Sequence, residues 1–244
     1  MSALDITILV LGGLAAGTIN SIAGGGSLLT VPLLVVAGVP GNVANGSNRV
    51  GVLASNASAV LAFRRLGVDA FRNAGRILGP VVAGSIIGAL TIGQLDDAAF
   101  ERVFGFLMVP ILLISLRKPK PRTDGEAWSQ AVTFVVFFAI GIYGGAFQAG
   151  IGLILIVALS HSGMDLVTAN AVKVLVNVVV TLAALPVFIA NGQIDWGPAL
   201  VLAVGFTAGG ALGARLTVKG GERLVRPVMI AAVLVLAGEL IGLY

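Results

Sequence analysis

The chain has 244 residues, of which 57% are apolar and only 11% charged, with a formal net charge of +4. Soluble domains are about a quarter charged, so this composition excludes an ordinary globular protein and points to a helical membrane protein crossing the bilayer many times. Cysteine is absent, which excludes disulfides, thiolate metal sites and a cysteine nucleophile; the bases sit in short segments between apolar runs, where membrane orientation accounts for them without nucleic acid.

The first apolar stretch, Leu4–Val39, starts with one acid, Asp5, and no base. A cleavable signal peptide starts basic, so this segment is expected to be retained. It is interrupted by "NSIAGGGSLLTVPLL" (Asn20–Leu34). Three consecutive glycines break a helix. Ser27 is placed to cap a new short helix, and Pro32, beyond its first turn, to kink it. Broken backbone survives in hydrocarbon only where it lines a cavity or is buried in protein. Amides exposed at a helix start attract anions, so Asn20, Gly24, Gly25, Gly26 and Ser27 are candidate solute contacts. "NVANGSNR" (Asn42–Arg49) then brings Asn45, Asn48 and Arg49 to the start of the apolar run Val50–Phe63. The following loop holds Arg64, Arg65, Arg72 and Arg76 and reads as cytoplasmic. Ile77–Ile92 and Val103–Leu116 complete the first half, separated by Gln94–Phe100 with Asp96 and Asp97.

The basic, proline-containing linker Arg117–Trp128 is expected in the cytoplasm. Beyond it, "GGAFQAGIGLILI" (Gly144–Ile156) repeats the glycine break, with Gln148, Gly150 and Gly152 at its centre. His161, the single histidine, is expected in a short surface loop beside Asp165. Asn170, Lys173 and Asn177 are three and four apart and share one helical face at the start of Val172–Ile189. A base within a span is costly and faces a cavity or a partner. No carboxylate in these helices can neutralise Lys173 or Arg49, which leaves an anionic solute as the missing partner. Asn191–Trp196 holds Asp195 and no base, and reads as outside. Ala199–Ala214 and Val228–Leu243 are the last two apolar runs, joined by an expected cytoplasmic loop, Thr217–Pro227, with Lys219, Arg223 and Arg226. Glu239 reads as interfacial, and Trp128 and Trp196 as interface anchors. Gly13/Gly17, Gly84/Gly88, Gly141/Gly145 and Gly209/Gly213 have the small-residue spacing of close helix packing.

The two halves match in order. Gly17 and Gly26 align with Gly141 and Gly150, Gly38 with Gly163, Ala44 and Asn45 with Ala169 and Asn170, Gly84–Ala89 with Gly209–Ala214, and Glu101–Arg102 with Glu222–Arg223. Equivalent loops have opposite charge character, as inverted-topology repeats should. The expected fold is therefore an all-α polytopic membrane protein. Residues 1–244 form one transmembrane domain: repeat 1–116, linker 117–128 and repeat 129–244. Each repeat holds a re-entrant or broken helix hairpin followed by three transmembrane helices, with both termini outside. The alternative treats each hairpin as a long kinked span, giving eight spans.

"GTINSIAGGGSLLTVPLL" (Gly17–Leu34), the following "ANGSN", the basic linker and the second-half "GAFQAGIGLILI" and "TANAVK" resemble the TauE/SafE family of sulfite exporters over nearly the whole chain. The resemblance implies a multi-pass transporter of the cell (inner) membrane that moves sulfite, sulfonates or related sulfur-containing anions. The expected function is secondary transport of a small anion, by alternating access between the two repeats. The expected site is Asn20, Gly24, Gly25, Gly26, Ser27, Asn45, Asn48, Arg49, Gln148, Gly150, Gly152, Asn170, Lys173 and Asn177. An anion channel or a carrier of a non-sulfur organic anion is the alternative. An intramembrane enzyme would need a nucleophile with a base, paired acids or metal ligands, and no such set lies within the spans. No cofactor or metal is expected. The partners are the solute and the lipid bilayer, and a second copy of the chain is compatible with the reading.

Overall fold

The computed structural model describes residues 3–27, 30–31, 34, 39–96, 98–100, 102–103, 106–107 and 128–240, with 3–5, 73, 221–226 and 228–240 described by their backbone. Its helices are α1 (Ala3–Ile22), α2 (Gly41–Arg65), α3 (Gly75–Ile92), α4 (Gln130–Ala146), α5 (Ile151–His161), α6 (Leu166–Ala190) and α7 (Trp196–Leu240), with a short 3-10 turn at Phe71–Asn73. Among the described residues three helical segments are long and apolar enough to cross a membrane: Gly75–Ile92, Leu166–Ala190 and Trp196–Gly220. Linker residues 117–127, most of the expected run Val103–Leu116, and Pro32, Gly38, Asp97 and Glu101 lie outside the described residues, as do the side chains of Glu222, Arg223 and Glu239.

Two side-chain clusters mark opposite ends of the helix bundle. At the first end Phe63 and Ala70 join Leu159 and Ala169, and Trp128, Met164 and Val218 pack against them. At the second end Ile92 and Phe100 join Phe188 and Ile194. There Asn42 Nδ2 donates to Leu95 O at 2.7 Å, Gln193 Nε2 donates to Gly93 O at 3.3 Å and Asp195 N–H donates to Ser47 Oγ at 2.8 Å. α2 and α6 therefore run in opposite directions, and so do α3 and α7. The exposed bases Arg64, Arg65, Arg72, Arg76 and Lys219 gather at the first end with Asp69 and Asp165, whereas exposed Asp96 and Asp195 lie at the second with Arg102.

α4 and α5 form a hairpin that leaves and returns at one end, because Trp128 before α4 and Met164 after α5 pack on the same cluster. α1 and the helical turns at 26–27, 30–31 and 34 do the same from the other end, with Val31 and Leu34 back against Ala16, and Leu9 and Val39 beside them. α6 opens on Asp165, whose carboxylate accepts from Val167 N–H at 2.9 Å and Thr168 N–H at 3.0 Å. Partial burial pushes that carboxyl up, and the hydrogen bonds from Thr168 and Val167 outweigh it, holding it below the usual aspartate range.

The glycine pairs act in packing, as their spacing predicts. A Cβ on Gly205, Gly209 or Gly213 would overlap the carbonyl oxygen of Val10, Leu14 or Thr18, and one on Gly13 or Gly17 would overlap backbone of α7 at 2.6 or 2.7 Å. α1 and α7 thus lie parallel with backbones in contact. α3 and α4 are built the same way: Gly84 and Gly88 meet Phe138 O and Ile142 O, and Gly141 and Gly145 meet Val81 O and Ser85 O. Each hairpin's leading helix is therefore clasped by a helix from the other half of the sequence. Phe206 of α7 fills the space between α1 and α2 beneath Gly17 and Gly51, and Ser58 Oγ donates to Thr207 O at 2.8 Å. On the other side Ser85 Oγ of α3 donates to Val180 O of α6 at 2.9 Å. Two groups of helices can be drawn, α1–α2–α7 and α3–α4–α5–α6, each assembled from both halves, with α2 and α6 packed closely on one another between them.

Three expectations are corrected. Thr217–Pro227 is no loop: α7 runs unbroken through it for 45 residues. The Gly220–Gly221 pair weakens a helix by about 1 kcal/mol per residue but keeps its N–H donors, and Glu222, Arg223 and Leu224 favour helix, although Pro227 within the same helix does not. Ser27 lies inside the helical backbone that resumes at Gly26, so the cap position falls to Gly25. His161 is the last residue of α5, with Nδ1 bonded to Val157 O at 2.8 Å.

The close approach of α1 to α7 and of α3 to α4 makes opposite predictions for glycines on and off the seams. Gly213→Val and Gly88→Val should each lower the melting temperature in detergent, by overpacking worth about 1–3 kcal/mol. Gly12→Ala, on α1 but with open space around a Cβ, should raise it, by about 0.5–1 kcal/mol. Equal tolerance of all three would contradict the seams.

Candidate functional site

The two helix breaks meet at the centre of the bundle. A Cβ on Gly24 would overlap the Cα of Gly152, and the reverse also holds. Gly24 has φ +86° and Gly150 φ +72°, left-handed conformations that glycine adopts without strain. Gly150 is the N-terminal cap residue of α5, and no side chain caps that helix. Tyr143 Oη donates to Ala149 O and fastens the second break.

A helix that ends inside apolar surroundings leaves its last carbonyls without partners. Here two buried bases supply the donors. Lys173 Nζ on α6 donates to Asn20 O at 2.8 Å and Ser21 O at 2.9 Å, and Asn170 Nδ2, one turn earlier, donates to Ile22 O at 2.8 Å. Arg49 on α2 donates to Gly144 O at 3.2 Å, Gly145 O at 2.6 Å and Ala146 O at 2.9 Å, and Asn45 Nδ2 donates to Ala146 O at 2.9 Å. The last turn of α1 is thus closed from the second half, and the last turn of α4 from the first. The guanidinium also lies over the Phe188 ring, 4.3 Å from its centroid. Both bases are 0% exposed.

This differs from the expectation that an anion is the partner of these bases. Every described hydrogen-bond acceptor of either base is a main-chain carbonyl. The charge is a separate matter. A helix C-terminus offers about half a negative charge, and among the described residues no carboxylate forms an ion pair with Lys173 or Arg49. As an ammonium, Lys173 has three donors, and two described acceptors face them.

The remaining predicted residues collect around the same centre. Asn20, Ser27, Asn48, Gln148 and Asn177 are all at most 2% exposed, and Gly25, Gly26 and Gly152 are buried. Asn48 Oδ1 accepts from Thr30 Oγ1 at 2.5 Å, just beyond the first break. Gln148 Nε2 donates to Thr181 Oγ1, and Thr181 Oγ1 donates to Asn177 O at 2.7 Å. One face of α6 therefore runs past both breaks: Asn170 and Lys173 at the end of α1, Thr181 at Gln148, and Asn177 between. Asn177 leaves both amide atoms unpartnered, and Asn20 Nδ2, Asn48 Nδ2, Ser21 Oγ and Gln148 Oε1 are also unpaired. Buried polar atoms in this state mark a place for a ligand or water. Thr181, Thr30, Thr217 and Phe188 escaped the sequence reading. Thr181 had a signal, since it continues the polar face four residues past Asn177; Thr217, which accepts from Asn170 Nδ2 at 3.2 Å, had none.

The family described as "Sulfite exporter TauE/SafE" matches residues 9–240. A "Probable membrane transporter protein" of Haemophilus influenzae is 33% identical over 231 residues, covering 92% of this chain and 90% of that protein. "Probable membrane transporter protein YfcA" of Escherichia coli K12 is 29% identical, covering 99% and 91%. "Probable membrane transporter protein YunE" of Bacillus subtilis is 25% identical and covers 98% of both chains. No solved structure matches.

Removing a capping base should loosen the opposite half of the chain. In Arg49→Met, hydrogen exchange should accelerate in the last turn of α4 and through 147–150; in Lys173→Met, in the last turn of α1 and through 23–25. Each stranded carbonyl costs about 1–3 kcal/mol, so the protected amides there should exchange at least tenfold faster. Acceleration confined to the helix that carries the substitution would refute reciprocal capping.

Proposed function

The chain belongs to the sulfite exporter TauE/SafE family and is a membrane transporter, and on that premise we propose that it is a secondary transporter of a small anion, sulfite or an organosulfonate. The observation that carries the reading is the pair of buried bases, with no carboxylate ion-paired to them among the described residues, at the meeting point of two broken helices. Anionic oxygens would accept from the third N–H of Lys173, from the amides of Asn20, Asn48 and Asn177, and from the uncapped starts of the helices after Gly25 and Gly150. Arg49 would act through charge and through its hold on α4.

We propose further that residues 1–116 and 129–244 are inverted-topology repeats with a re-entrant hairpin each. The opposite directions of α2 and α6, the hairpins from opposite ends and the reciprocal caps support this. The end rich in arginine would be cytoplasmic, with linker 117–128, in the inner membrane of the cell. Alternating access would then rock the α1–α2–α7 body against the α3–α4–α5–α6 body rather than one sequence half against the other, because the glycine seams tie each half into both bodies. The connectors between bodies, 66–74 and 191–195, hold Gly67 at φ +83° and Gly192 at φ +66° with open space around both, and would be the hinges.

Reconstituted in liposomes, the protein should show saturable sulfite flux with counterflow, which a channel would lack. Asn177→Leu should reduce that flux at least tenfold while leaving the folded protein in the membrane; normal flux in this variant would remove the site. Because the chain has no cysteine of its own, Arg72→Cys and Gly192→Cys can be labelled singly, and they should react from opposite sides of the membrane. Reaction from one side would overturn the inverted arrangement.

A further inference from the structure

We infer that Gln148 is the specificity residue of the site, and that its carboxamide oxygen selects an anion carrying a hydrogen-bond donor of its own. The inference rests on the anion-transport reading. The orientation of the amide follows from counting protons. The Thr181 hydroxyl has one proton, and its oxygen lies 2.7 Å from Asn177 O, a pure acceptor, which takes that proton. Towards Gln148, Thr181 can then only accept. Gln148 must present Nε2 to it, as observed, and a flipped amide would set two acceptors against each other. Oε1 is left pointing elsewhere, with no partner, on a side chain 2% exposed.

A second observation is independent of that amide. Gln148 has φ +60° and is the one described non-glycine residue in the left-handed region. Backbone strain of this kind persists where the surroundings hold it, and it gathers at ligand sites. Glycine would relieve it at once. A glutamine there supplies what glycine cannot, a carboxamide in the middle of the site.

The rest of the site offers several donors, with Asn177 Oδ1 and Asn170 Oδ1 as further unpaired acceptors. Lys173 as an ammonium has a third N–H, Asn20 Nδ2 is unpaired, and Asn177 lies between Lys173 and Gln148 along α6 with both amide atoms free. An anion made only of acceptor oxygens would satisfy Lys173 and Asn20 but would press lone pairs against Gln148 Oε1. An anion with its own O–H or N–H would satisfy both sides at once. The ligand class is a small sulfur oxyanion or sulfonate bearing one such donor.

Binding to the purified protein in detergent, read by calorimetry, tests this with three ligands of one size: methanesulfonate, which has no donor, hydroxymethanesulfonate and aminomethanesulfonate. The two donor-bearing ligands should bind about tenfold tighter or more, since a buried acceptor left unpaired is costly. Whichever of them binds tighter identifies the donor as hydroxyl or amine. In Gln148→Met the preference should shrink to about twofold or less, with methanesulfonate binding no weaker than before. Equal binding of all three to the unaltered protein would overturn the inference and leave the anion reading standing, as would a full preference retained in Gln148→Met. Should that variant fail to fold, the ligand series on the unaltered protein decides alone. If none of the three binds, this inference falls, and the anion reading is decided separately by the sulfite flux.

Discussion

A helix that stops inside a bilayer strands its last carbonyls where no water can reach them, and each stranded group costs several kcal/mol. This chain stops two helices, α1 and α4, against one another at the centre of the bundle. Everything around the breaks answers that cost. Lys173 with Asn170 closes one end, and Arg49 with Asn45 closes the other. Carbonyls satisfy the hydrogen-bonding capacity of a base without cancelling its charge. The same contacts that make the breaks tolerable set both bases at the centre of the site proposed above for an anion.

Each closure comes from the half of the chain opposite to the helix it closes. The glycine seams follow the same rule, α1 against α7 and α4 against α3. Neither sequence half can shift as a unit without separating backbones that lie in van der Waals contact. The two groups of helices meet along α2 and α6, and both of these helices carry polar residues past the breaks. In the alternating access proposed above, the interface that moves and the solute site would coincide.

Much of this was legible in residue spacing. Gly84/Gly88 and Gly209/Gly213 announced backbone contact because only small residues recur at four-residue intervals there. Asn170, Lys173 and Asn177 announced a polar face because helical periodicity puts them on one side. The partners of the bases were not legible, because a main-chain carbonyl has no side-chain signature and the ones used lie 95–97 residues away from Arg49 and 152–153 away from Lys173. The strained residue at the second break was hidden as well: glycines flag the break, yet Gln148 shares the left-handed backbone with Gly150. Thr217–Pro227 misled for a different reason. Clustered charge suggests a loop, whereas the main-chain ladder continues through Gly220–Gly221 because glycine keeps its N–H, and it continues past Pro227, which lacks one.

The exchanged packing also bears on how the protein is made. α1 emerges from the ribosome before the helices that pack on it, and the surface that clasps it, Gly205–Gly213 of α7, emerges about 190 residues later. At 5–20 residues per second that is a wait of roughly 10–40 s. Until Lys173 arrives the last carbonyls of α1 have no closing base, and its glycine face has no backbone to lie against. The first half must therefore be held by lipid headgroups, water or insertion machinery before it acquires its native neighbours. Its native state is reached only once the last third of the chain has been delivered to the membrane, so a truncated product would stay unassembled and open to quality-control proteases.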